Sequence, residues 1–314
     1  MPSRDLNRLR VDARRRVRRW ARARGRAALA LGLFACAALL SVAPASAAEV
    51  IIVGDTQYRP VADVVAAIGA TLRSPAKVYT TSDVRGRLES VVAGERARLV
   101  VALGKDALKE AVRLPPPTGV VYGLVIVPPK VAASNVTGVY MATPVGEYVN
   151  AVRRYLPAIK RISVVGSEDL LKALDIGDPL HVATYGVSSP SELVSTLERL
   201  DEPQAILLLP DVTLITSAVM ERAYLFSYRK NIPLLGISEG NVRQGSLFAL
   251  VFDPASLGRQ IGEEVAAALN GKAIAAMPPS PPHTFDLCVN TETARRMGIA
   301  VPEEMLKRAK RIYP

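Results

Sequence analysis

Residues 234–253 read LLGISEGNVRQGSLFALVFD. Two apolar runs, 232–236 and 247–252, stop abruptly, the first at Ser238-Glu239-Gly240 and the second at Asp253. Runs that are apolar at every position suit strands covered on both faces, as in a parallel sheet sandwiched between helices. Carboxylates just beyond such strands need not be buried. Ligands of an open parallel sheet bind outside the carboxyl ends of its strands, so acidic strand ends can line that mouth.

The same punctuation recurs along the chain. β-rich runs lie at 50–53, 77–80, 99–102 and 120–127, with helix-length stretches at about 60–68, 83–93 and 106–113 between them. A second series places strands at 161–165, 182–185, 204–209 and 232–236, and helices near 168–175, 190–200 and 214–230. The shared strand–helix order over similar lengths predicts an α/β protein of two comparable lobes. Ser189-Pro190-Ser191-Glu192 reads as a capping box with Pro at the first helical position. Asp253-Pro254 opens a helix whose Leu257, Ile261, Val265 and Leu269 share one face until Asn270-Gly271. The Pro-rich 277–283 reads as a connector, 284–289 as a strand, and 291–314 as two short helical pieces split by Gly298 and Pro302.

The residues immediately beyond each strand are the candidate ligand contacts. The first series offers Asp55 and Thr56 after 50–53, and Lys105 and Asp106 after 99–102. The second offers Ser167, Asp211, Ser238, Glu239 and finally Asp253. Each has a plainer role open to it: Asp253, Asp106 and Ser167 are good helix N-caps, and Asp211 and Glu239 can be loop carboxylates facing solvent.

Charge narrows the partners. Eleven arginines and only Asp5 and Asp12 fall in residues 1–48, a net +9 out of the chain's +11, which leaves about +2 for everything else. The body is therefore nearly neutral and, with no basic stripe interleaved with aromatics, does not read as a nucleic-acid binder. The basic segment precedes an apolar run at 27–43 and then Ala45-Ser46-Ala47-Ala48, the order of a secretory signal cut after Ala47 or Ala48. An uncleaved anchor would be short for a span, and lipid attachment at Cys36 is disfavoured by the bulky Phe34 and the apolar residues beyond it. Cleavage leaves Cys288 alone, so no intramolecular disulfide is expected.

Enzyme readings lack a foundation. The mature chain has no H-E-x-x-H, G-x-S-x-G, CxxC or G-x-G-x-x-G, and its His181 and His283 stand apart. No metal or cofactor is expected.

Several stretches occur together in one order: LVVALGKDAL (99–108), SNVTGVYM (134–141), YLPAIKRISVVG (155–166), AILLLPD (205–211), the long segment 232–271, and LCVNTETARRMGIAVPEEMLKRAKRI (287–312). In this order the chain resembles the ABC-transporter substrate-binding proteins whose characterised members take up aromatic amino acids. The resemblance implies a type I periplasmic-binding-protein fold, with two Rossmann-like lobes on parallel sheets joined by a hinge. It places crossovers near 138–145, 247–254 and 277–288, and ligand between the lobes. Residues 1–48 would be the signal, 49–140 plus about 254–276 the first lobe, and 141–253 the second. Residues 277–314 would form the third crossover and C-terminal helices. Asn135-Val136-Thr137-Gly138 would be the turn into the first crossover. Two positions depart from the family pattern: Lys105 stands where a small hydroxyl residue is usual, and Gly166-Ser167 replaces Asn-Pro.

The resemblance implies a periplasmic, monomeric, non-enzymatic receptor of an importer, passing a small polar or amino-acid-like ligand to an inner-membrane ABC permease. The pocket would draw on Asp55, Thr56, Lys105, Asp106, Ser167, Asp211, Ser238, Glu239 and Asp253, with Glu239 or Asp211 meeting a ligand cation. The alternative is a periplasmic regulatory or interaction protein that kept the fold and lost the transport ligand, Lys105 filling the cleft.

Overall fold

The computed structural model describes residues 48–130, 133–174, 176 and 181–314. Residues 1–47 of the segment read as a secretory signal, Cys36 included, lie outside the described residues. From Ala48 onward the chain forms one compact unit built on two sheets.

The first sheet takes its strands from β1 (Val50–Val53), β2 (Ala76–Tyr79), β3 (Leu99–Leu103), β4 (Gly119–Val125) and β5 (Val136–Tyr140). They lie in the order β2-β1-β3-β4-β5, every pair parallel. β1 and β3 are buried at every residue, which is why their sequences carry no alternation. Helices α1 (Arg59–Thr71), α2 (Thr81–Val84), α3 (Leu88–Glu95) and α4 (Lys105–Ala111) connect them.

The second sheet holds β6 (Ile162–Gly166), β7 (Val182–Gly186), β8 (Ala205–Leu208), β9 (Leu234–Gly236), β10 (Phe248–Phe252), β11 (Phe285–Asn290) and β12 (Ala309–Tyr313). Read from its far edge the order is β7-β6-β8-β9-β10-β11-β12. Its first five strands therefore repeat the order of the first sheet, two strands being appended. All pairs are parallel except β10 with β11. The helices here are α5 (Val145–Tyr155), α6 (Glu168–Ala173), α7 (Pro190–Glu198), α8 (Ser217–Lys230) and α9 (Glu239–Gln244).

Helix α10 (Pro254–Leu269) leaves β10 and returns to the first sheet, packing Leu257, Ile261 and Val265 with Val64 and Ile68 of α1. Gly258 permits the close approach, since a Cβ there would lie 2.6 Å from the Val64 carbonyl and the Ala67 methyl. The chain then runs along β5, where Tyr140 N–H donates to Ser280 O and Ser280 N–H to Gly138 O, both at 3.1 Å. It rejoins the second sheet at β11 and ends with α11 (Thr291–Arg296), α12 (Glu303–Arg308) and β12.

Four expectations change. The helix expected over 83–93 is two, because Gly86 turns the chain at φ +69° between α2 and α3. Residues 136–138 are not a turn but part of β5. Gly138 is needed there because a Cβ would fall 2.2 Å from the Tyr122 carbonyl oxygen. The stretch expected to end in helix closes instead with β12, parallel to β11. The capping box at 189–192 is half formed: Ser189 Oγ accepts from Glu192 N–H at 3.2 Å, but the Glu192 carboxylate is taken by the Ser188 N–H and hydroxyl at 2.8 and 2.6 Å.

Candidate functional site

In each lobe the helix after one inner strand covers one face, and the helix after its neighbour covers the other. α1 follows β1 on the face formed by Val50, Ile52, Val64 and Ile68, whereas α4 follows β3 on the face of Val100, Ala102, Ala107 and Leu108. The strand ends between them form a crevice. It is bordered by Gly54-Asp55-Thr56 and Gly104-Lys105-Asp106, because Val53 stands level with Ala102. The second lobe repeats this: α6 follows β6 beside Ile162, Val164 and Leu170, and α8 follows β8 beside Ile206, Leu208, Val219 and Ala223. With Val165 level with Leu208, the crevice there lies between Gly166-Ser167 and Pro210-Asp211. Asp55, Thr56, Lys105, Asp106, Ser167 and Asp211 thus border the two switch points.

These residues are not equally free. Asp55 is half-buried and accepts from Thr81 N–H at 3.0 Å and the Thr81 hydroxyl at 3.1 Å. Asp211 Oδ1 accepts from Thr213 N–H at 2.8 Å and the Thr213 hydroxyl at 2.6 Å. Burial alone would raise the Asp211 carboxyl. The hydrogen bonds from Thr213, Ser167 and Leu214 outweigh burial and hold it below the usual carboxylate range. It is an anion at neutral pH, with Ser167 already at its side. Thr56, Lys105 and Asp106 are exposed, and Lys105 has no ion pair among the described residues.

The polar residues just beyond the two apolar runs at 232–236 and 247–252 have other partners. Ser238 caps α9, accepting from Asn241 N–H at 3.2 Å and donating to Asn241 Oδ1 at 3.0 Å. Glu239 is exposed and accepts from the hydroxyl of Tyr313, on the last strand. Asp253 caps α10 through Ser256 N–H at 2.9 Å and meets Lys310 Nζ at 3.1 Å. Burial pushes its carboxyl up, but Ser256 and Lys310 bring it below the ordinary range. Asp211 and Glu239, either of which was expected to meet a ligand cation, take their hydrogen bonds from different elements.

A cavity of about 150 Å³ lies where the lobes join, and sequence reasoning did not identify it. Ile126, Met141 and Ala142 line it from the first sheet and its exit; Leu207, Leu209, Pro210, Ile237 and Leu250 line it from the second. Pro210 and Ile237 each precede a polar candidate, so this apolar floor continues directly from Asp211 and Ser238. The available signal was the apolar sequence running past the strand ends at Ile126 and Ile237. A larger groove of about 290 Å³ between α7 and α8 lies near their C-terminal ends, at Leu197, Glu198, Arg229 and Lys230. Helices that return antiparallel to the strands put those ends at the opposite edge of the sheet from the mouth.

An ion pair joins the lobes, and the connector that leads back to the second lobe is held on the first. Lys130, in the loop after β4, pairs with Asp169 of α6 at 2.9 Å. The connector after α10 is held by Gln260, whose Nε2 donates to Ser280 Oγ at 3.1 Å and Pro281 O at 3.0 Å. Glu264 accepts from the Ser280 hydroxyl at 3.3 Å, while its Oε2 has no partner among the described residues. Burial pushes the Glu264 carboxyl up to about 7, against the opposing effects of Ser280 and Lys272. Among the described residues no group of three or more His, Cys, Asp or Glu is placed to hold a metal. The Cys288 thiol is buried, and burial, then Glu239 and Asp286, push it up to about 11.

Residues 118–313, more than half of the chain, match the family described as ABC transporter substrate binding protein. A tyrosine-binding protein of Clostridioides difficile (strain R20291) is 24% identical over 174 residues, which are 52% of this chain and 50% of that protein. The match spans about half the length of this curated relative. Among solved structures, a substrate binding protein with adhesive properties from Clostridium difficile, in its ligand-free open form, has a TM-score of 0.62 at 15% identity. That comparison covers 84% of this chain and 98% of the other. The ABC domain from Streptococcus pneumonia in complex with L-Trp has a TM-score of 0.52 at 20% identity, covering 84% and 100%. At these identities the likeness is one of fold, that of the type I periplasmic binding proteins.

Proposed function

Because the chain belongs to the ABC transporter substrate binding protein family, we propose that it is the extracytoplasmic receptor of an importer, closing its two lobes around a small amino-acid-like ligand. The observation that supports this reading is the cavity of about 150 Å³ where the lobes join, whose wall at Pro210 runs directly into Asp211. Asp55, Thr56, Lys105 and Asp106 stand on one lobe, and Ser167 and Asp211 on the other. Asp211, ionised and already oriented by Thr213, is suited to a ligand ammonium; Lys105 is suited to a carboxylate. The relatives named for tyrosine and solved with L-Trp support an amino-acid-like guest. The segments 141–144, 253 and 270–284 would be the hinge, the ligand selecting the closed arrangement. A periplasmic location after removal of residues 1–47 or 1–48, a monomeric state and a permease partner belong to the same proposal.

The test is a melt of the purified protein against amino acids, sugars, nucleosides and small acids. A ligand at about 100 times its Kd stabilises the folded state by roughly 2.7 kcal/mol, an easily read shift in Tm. No shift with any amino acid would overturn the receptor reading in favour of a regulatory module on the same fold.

A further inference from the structure

The last strand, β12, lies beside β11 with a break in register: Leu287 stands level with Ala309, but Cys288 with Arg311. Lys310 is therefore the extra residue of a bulge, a feature that re-aims a side chain. Its ammonium meets Asp286 Oδ2 on the neighbouring strand at 2.5 Å and Asp253 Oδ1, just beyond the end of β10, at 3.1 Å. These carboxylates mark the crossing between the lobes. Asp253 is where the chain leaves β10 for the first lobe, and Asp286 is the second residue of β11, where it has come back. The other oxygen of Asp253 accepts from Ser256 N–H at 2.9 Å and so caps α10, the helix that packs with Val64 and Ile68 of the first lobe. β12 is seated on the second lobe by its pairing with β11 and by the Thr291 hydroxyl, which donates to Tyr313 O at 3.1 Å. Asp253 thus holds a helix of the first lobe with one oxygen and a lysine of the second with the other.

We propose that Lys310 is a positioning residue for the lobes, a catch on the N-terminus of α10 that holds the resting angle at the Asp253 crossing. The proposal goes beyond ligand recognition and rests on the hinge named above. Turning α10 about residue 253 carries the first lobe's side of that contact away, whereas Lys310 stays with β11. The turn therefore breaks the pair between Lys310 and Asp253. Asp286 moves with β11 and keeps the ammonium paired, so release leaves no orphaned cation. The catch is also a soft one: the Lys310 side chain is 51% exposed, and water weakens such pairs. That combination suits a contact that must yield each time the lobes move. Without the lysine, two carboxylates within about 6 Å of each other would repel.

Hydrogen exchange and small-angle scattering on the full protein, with no ligand added, test this in three variants. Lys310→Met keeps the stem and removes the charge. It should speed exchange several-fold across 252–257 and broaden the spread of lobe separations. Adding Asp253→Asn, which keeps a capping oxygen and removes the repulsion, should bring both readouts part of the way back. Lys310→Arg should stay near wild type. A lysine that only seats β12 would instead free 309–313, and Asp253→Asn would rescue nothing. That result overturns the catch, as does a Lys310→Met protein with unchanged exchange at 252–257 or unchanged lobe separations, or a Lys310→Arg protein as loose as Lys310→Met. None of these readouts needs a guest. Silence toward every amino acid in the melt therefore overturns the receptor reading alone, and failure of the catch leaves that reading standing.

Discussion

Lys130 and Asp169 meet at 2.9 Å across the cleft, one from each lobe, with both side chains largely exposed at 75% and 72%. An ion pair so open to water contributes little to folding, typically under about 1 kcal/mol. Hydrogen bonding and the charge of Lys130 nevertheless hold the Asp169 carboxyl below its usual range. Lys130→Ala is therefore expected to leave the urea midpoint nearly unchanged. It should widen the average lobe separation at low salt, read by small-angle scattering, and that widening should vanish at about 1 M salt, where screening removes the pair anyway.

Asp211→Asn keeps an oxygen for Thr213 and removes the charge. Stability should change little, and affinity for a ligand bearing an ammonium should fall by roughly 10- to 100-fold, the range for a charge-assisted hydrogen bond. Titration of the variant with the best ligand of the wild-type panel measures it. Unchanged affinity would move the cation site elsewhere.

Gly138→Ala drives a Cβ to 2.2 Å from the Tyr122 carbonyl oxygen and 2.7 Å from its ring. Neither backbone nor buried ring has room to retreat, since Tyr122 is 1% exposed. A loss of about 2–4 kcal/mol is expected by chemical denaturation.

Glu264 predicts the pH profile. Its carboxyl is raised in the folded protein to about 7 from 4.5, so its contribution is fully present below pH 4.5 and is lost as pH rises through 7. Wild-type Tm should therefore decline across this window, whereas Glu264→Gln, neutral throughout, should show a flatter profile. Parallel profiles for the two proteins would refute it.

Much of the framework was legible because burial on both faces leaves an unmistakable mark, as in VIIV at 50–53 and LVVAL at 99–103. β5 was not, since Thr-Gly in its middle imitates a turn, and the reason for the glycine is Tyr122, distant in sequence but adjacent in the sheet. β12 escaped because Lys310 and Arg311 resemble a helix end, and only pairing with β11 makes that segment a strand. The polar tips were found because they directly follow strands. Sequence did not reveal that Glu239 is taken by Tyr313 or Asp253 by Lys310, because those partners arrive from the last strand. The apolar floor gathers residues from 126, 141, 209, 237 and 250, and no local pattern links them.

One apolar cluster runs from Val100 and Tyr122 of the first sheet through Tyr140 and Ala142, then Val145 and Tyr148 of α5, to Leu207 and Phe248 of the second sheet. The crossovers are therefore more than tethers: they are mortar shared by both halves. Evolution cannot shuffle one half independently of the other without recutting that seam, so specificity is expected to drift at the polar rims, where a substitution disturbs no common masonry.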